Sequence, residues 1–126
     1  MCVQITRVVV TDAGGSDFAP FDVDLIDHGE IGRLSEPWPV ADVIFRENDP
    51  GYDYDWHNAP RRQFIVLLDG EIEVEVTSGE RRVFSGGDVL LVEDTTGSGH
   101  RTRSTDGERR RSIFISLPDA PDRREP

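Results

Sequence analysis

The chain has 126 residues, a single cysteine and a formal net charge of -11, from 25 acidic and 14 basic side chains. That length favours one domain able to bury a core without disulfides or a structural metal, and so acidic a surface repels phosphate backbones and argues against sequence-independent nucleic-acid binding. No apolar run approaches membrane-spanning length and Met1–Val10 lacks the layout of a signal peptide, so the expectation is a cytoplasmic protein without membrane contact.

Turn signals rich in glycine, proline and Asp/Asn recur along the whole chain, and short runs of Val, Ile, Leu and Phe lie between them. This is the pattern of an all-β protein. In chain order, strands are expected at 3–10, 21–25 and 40–46. His28, in Asp27-His28-Gly29, has the setting of an exposed loop residue. The aromatic and acidic run Tyr52-Asp53-Tyr54-Asp55-Trp56 precedes His57, and Asn58-Ala59-Pro60 then turns the chain toward Gln63.

Residues 63–68 are almost wholly apolar, as in a strand covered on both faces. Residues 71–77 alternate Glu with Ile and Val, as in a strand with one wet face. Asp69-Gly70 between them is a hairpin signal. Ser78-Gly79-Glu80 predicts a second hairpin into 81–84, and Gly86-Gly87 leads into 88–92. Further strands are expected at 100–104 and 111–117. Residues 1–117 then form a closed barrel or sandwich domain, and the proline-rich, charged 118–126 a flexible tail.

His57 and His100 each stand where a strand meets a loop, the usual place for scaffold-supported functional residues. A buried carboxamide at Gln63 needs a partner, because an unpaired one costs about 1–3 kcal/mol. Asp94, six residues before His100, can orient and charge-stabilise its imidazole, or be a turn residue. Arg61-Arg62 and Arg109-Arg110-Arg111 read first as solvated ion pairs. The sharper reading makes Arg61 or Arg62 an anion-binding group at a pocket mouth.

From His57 to Gly70 and from Gly87 to His100 the chain resembles the cupin superfamily, and more narrowly its small single-domain bacterial members. His57 stands at the first histidine of the first cupin motif, Ala59 at the second, Gln63 at the glutamate and Gly70 at the closing glycine. Gly87-Asp88-Val89-Leu90-Leu91-Val92 matches the start of the second motif, and His100 its histidine. Ser104 stands where an asparagine is frequent. The resemblance implies a double-stranded β-helix, the jelly-roll barrel, with a small-molecule site inside it. It also implies pairing as a homodimer through edge strands, for which strands near 3–10 are better candidates than the glutamate-rich 71–77. The four metal-ligand positions become His57, Ala59, Gln63 and His100. Losing one imidazole and the only anionic ligand weakens divalent-metal binding, so the cofactor expectation is none, or a weakly held divalent metal on His57, His100 and Gln63.

The leading expectation is metal-independent acid–base chemistry of the isomerase, cyclase or lyase type. His57, His100 and Gln63 are its catalytic candidates; Arg61, Trp56 and Asp94 are its substrate-binding candidates. The alternatives are a metal-dependent dioxygenase or isomerase built on His57 and His100, and a ligand-binding module without turnover.

Overall fold

The computed structural model describes residues 1–118. Its strands are β1 (Cys2–Val10), β2 (Ser16–Asp24), β3 (Ile26–Asp27), β4 (Arg33–Leu34), β5 (Asp42–Asn48), β6 (Asp53–His57), β7 (Gln63–Leu67), β8 (Glu71–Glu75), β9 (Arg81–Ser85), β10 (Val89–Val92), β11 (His100–Ser104) and β12 (Arg110–Ser116). A one-turn 3-10 helix at Gly29–Ile31 follows His28. Of the tail expected at 118–126, residues 119–126 lie outside the described residues. Among the described residues no helix is long and apolar enough to cross a membrane.

Ten of these strands form two sheets. One has the order β2-β1-β10-β7-β12-β5 and the other β6-β11-β8-β9, while β3 and β4 make a separate ribbon. Among the described residues β1 and β10 run parallel and the other pairs are antiparallel. This is an all-β jelly-roll architecture of two facing sheets.

The core follows strand alternation. Leu67, Leu90 and Val92 of the larger sheet pack against Ile72, Val74 and Phe84 of the smaller one. On the opposite face of the larger sheet, Phe64 and Leu91 form a second cluster with Trp38 packed against it. Trp38 meets Phe64 edge-on at 5.3 Å between ring centroids. Residues 63–67 are therefore apolar on both sides because both sides are covered. The glutamates of β8 alternate with buried Ile72 and Val74, as their pattern predicts.

Three expectations are corrected. Asp69-Gly70 does not close a hairpin: β7 pairs with β10 and β12, whereas β8 pairs with β9 and β11. It is a corner where the chain crosses between sheets. Asp69 anchors it by accepting hydrogen bonds from the Arg111 backbone N–H (2.6 Å) and Nε (2.8 Å), and Gly70 takes a φ of 74°, a left-handed value suited to glycine. The differing burial of the two strands is the physical reason, since a doubly covered strand and a half-wet strand belong to different sheets. Second, of the strands near 3–10 expected as a dimer seam, β1 itself has no free edge, being paired on both sides by β2 and β10, and β2 is the outer strand of that sheet. Third, 53–57, read only as an aromatic and acidic run, is a strand.

Candidate functional site

The missed strand β6 carries His57 to the site. It pairs antiparallel with β11, and the register sets His57 directly opposite His100, with a bulge just beyond. The imidazole centroids are 4.5 Å apart. A loop, 94–99, must close over this pair, and two residues make that possible. The Asn58 Nδ2 group donates toward the carbonyls of Asp94, Thr96 and Gly97 at 3.3, 3.0 and 2.9 Å. Gly99 passes so near the His57 carbonyl that a Cβ would collide with it, and its φ is 76°. Neither position stood out from the sequence, because an Asn-Ala-Pro and a Ser-Gly read as ordinary turn chemistry.

Each imidazole has its tautomer set by an acceptor. The Nδ1 of His57 donates to the Asp55 carbonyl oxygen at 2.8 Å, which leaves Nε2 as the basic nitrogen. Burial lowers the His57 pKa; the Asp55 bond and the Asp94 charge oppose that shift, while His100 and Arg46 add to it. Tyr54 lies against the same ring, 3.8 Å between centroids. His100 is 5% exposed, and its Nδ1 meets Oδ2 of the fully buried Asp94 at 2.5 Å. A carboxylate in this place holds the ring orientation and stabilises the imidazolium when Nε2 takes a proton.

Both histidines line a cavity of about 240 Å³ between the sheets. Gln63 joins them from β7. It is 4% exposed, and none of the side-chain hydrogen bonds among the described residues ties up its carboxamide, which faces the cavity. Ile65, Ile72, Leu90 and Phe114 supply apolar wall. His57, Gln63, His100 and Asp94 are thus brought together, with Asp94 acting behind His100 rather than lining the cavity. Arg61 and Trp56 are not brought in. Arg61 pairs with Asp42 at 2.7 Å with both side chains more than half exposed, and Trp56 is 42% exposed and off the cavity wall. The cation that does line it is Arg46 of β5, together with Tyr52.

The metal set implied by the resemblance does not fit these residues. Ala59 offers no donor and is packed into the core. His57 and His100 each commit Nδ1 to an acceptor of the chain, so one Nε2 remains from each, beside a neutral amide oxygen. Among the described residues no group of three or more His, Cys, Asp or Glu side chains gathers in metal-binding geometry. First-row divalent ions favour more imidazole and a charged oxygen.

No family model matches the chain. It is 31% identical over 77 residues to the Oryzines biosynthesis cluster protein J of Aspergillus oryzae, a match covering 61% of this chain and 42% of that protein. The chain therefore spans less than half the length of this curated relative. Among solved structures it is similar to a Cupin 2 conserved barrel domain protein from Salinispora arenicola CNS-205, with 21% identity, 66% of this chain and 71% of that chain covered, and a TM-score of 0.49. A cupin-like protein from Thermotoga maritima MSB8 is 20% identical, with 76% and 67% covered and a TM-score of 0.49.

Proposed function

We propose that this cupin-type barrel acts on a small organic molecule by proton transfer, without a resident metal. The observation that carries the reading is the buried Asp94–His100 pair, beside a His57 held toward its neutral form, on one cavity with the Gln63 carboxamide. His100 Nε2 takes a proton from a carbon next to a substrate carbonyl. The electron pair left behind moves onto the carbonyl oxygen, where a Gln63 N–H donates to it. Returning the proton at a different atom completes an isomerisation; expelling a leaving group instead makes the step a lyase reaction. Asp94 stabilises the imidazolium formed in between, and general acid–base catalysis of this kind contributes roughly 10²–10⁴-fold. Apolar walls and Tyr54 favour a desolvated substrate, in which such charge stabilisation is stronger.

The test follows carbon-bound hydrogen exchange in deuterated water by NMR over a panel of small carbonyl compounds. The wild type is expected to catalyse exchange on at least one compound. Asp94→Asn, which reverses the hydrogen bond and moves the proton from Nδ1 to Nε2, should slow it by about 100-fold, and His100→Ala should abolish it. If His57→Ala and His100→Ala both keep the full rate, the reading is wrong.

A further inference from the structure

Arginines elsewhere in the chain meet carboxylates at the surface: Arg61 with Asp42, Arg81 with Glu75, Arg103 with Glu73 and Arg111 with Asp69. Arg46 does not. Among the described residues it makes no ion pair. Its Nε donates to Ser112 Oγ at 3.1 Å, and its guanidinium lies 4.2 Å from the Phe114 ring centroid and 5.8 Å from that of Tyr52. These contacts, with a hydrogen bond to the Tyr52 hydroxyl, fix the group in place and give it no carboxylate partner among the described residues. In a chain carrying 25 acidic side chains, a cation on a cavity wall without a counter-ion calls for one from outside.

The surroundings deepen the deficit of negative charge. Arg110 is 1% exposed and stacks on the other contact of Tyr52, 4.9 Å from the ring centroid. Its Nη2 donates to Asn48 Oδ1 at 2.9 Å, while Nε and Nη1 are buried with no partner among the described residues. Burial destabilises the charge of both guanidiniums, Arg110 suffers further from Arg46, and Asp106 acts on Arg110 only at a distance beyond an ion pair. Strand β5 is also patterned against a simple core: Phe45 is 79% exposed, while its neighbour Arg46 turns to the cavity. A hydrophobic core alone gives no reason for that arrangement.

We infer that the cavity is built for a small carboxylate, whose two oxygens sit in the Nη fork of Arg46 while the rest of the molecule reaches His57, Gln63 and His100. Planar guanidinium and carboxylate match in bidentate geometry, and a cavity of about 240 Å³ lies below the usual range for larger ligands. This rests on the proton-transfer reading for what happens next, but not for binding.

Binding is therefore measured apart from turnover. Small aliphatic and aromatic monocarboxylates are titrated into the protein beside the neutral primary amides of the same acids and beside inorganic phosphate, with NMR shifts as the readout. Acids should bind more tightly than their amides by about 30-fold, the scale expected for a partly buried charged pair. Arg46→Gln should remove that preference while leaving amide binding in place, and Arg46→Lys, which keeps the charge without the fork, should restore part of it. His57→Gln should retain the preference even where exchange chemistry is lost, which separates failure of the catalytic reading from failure of this one. Equal binding of acids and amides by the wild type overturns the inference, whether or not the Arg46 variants fold. So does binding of phosphate in preference to every carboxylate.

Discussion

The two ends of the cavity are built on opposite terms. At the histidine end every Nδ1 has its acceptor, the covering loop is held through Asn58, and the strand register itself makes the pair. At the arginine end Arg46 and, behind the cavity wall, Arg110 crowd one tyrosine ring, and donors of Arg110 are buried without partners among the described residues. The first end has its ring orientations set, with the Gln63 carboxamide open and Asp94 Oδ1 buried without a partner among the described residues; the second has a cation with no carboxylate partner among those residues. Preorganised groups are what a catalytic end needs, because they cost no rearrangement during reaction. A lining cation without a carboxylate partner is what a binding end has before an anionic ligand arrives.

That contrast breaks most sharply at Gly99. A Gly99→Ala change forces a Cβ against the His57 carbonyl at a left-handed φ, so β6 must move away from β11. A loss of about 3 kcal/mol is expected from backbone strain, seen as a melting temperature lower by roughly 10 °C, together with loss of the His57–His100 approach. A variant that melts with the wild type would show that the pair is not held by this contact.

At the other end the expected sign differs. Arg110→Met removes a buried cation that is only partly hydrogen-bonded and keeps most of the stem that packs on Gly70. Replacing such a group by an apolar one of similar shape is near neutral or stabilising. The change should therefore lie within about 1 kcal/mol, read by chemical denaturation at fixed pH. A loss several times larger would mean that Arg110 is already satisfied in the free protein.

The smallest effect is in pH dependence. His57 has its pKa lowered below the ordinary 6.5. The unfolded chain then binds more protons than the folded one as pH falls below 6.5, so the contribution is present above that value and is lost on acidification through the folded pKa. His57→Gln should flatten the fall in stability over that interval. An unchanged slope would place the titration elsewhere.

How much of this was legible in the chain varies with the kind of contact. The apolar run at 63–67, the Glu-alternating 71–75 and the turn at Gly79 announce their burial and direction locally. Asp94 and His100 are near neighbours in sequence, so their pairing needs only a loop. Arg46 carried no local signal beyond a charge at the end of an apolar run, and Arg61, with an equal claim by composition, was the more conspicuous.

The sequence by itself determined an all-β chain, the covered and half-wet strands, and the placement of His57, Gln63 and His100 at strand ends. Those are consequences of side-chain period and turn chemistry, which act over a few residues. Only the tertiary structure decided that Asp69-Gly70 is a corner between sheets, that β6 sets His57 against His100, and that Arg46 rather than Arg61 enters the cavity. Each depends on which strands pair and in what register, where a shift of one residue turns every side chain to the other face.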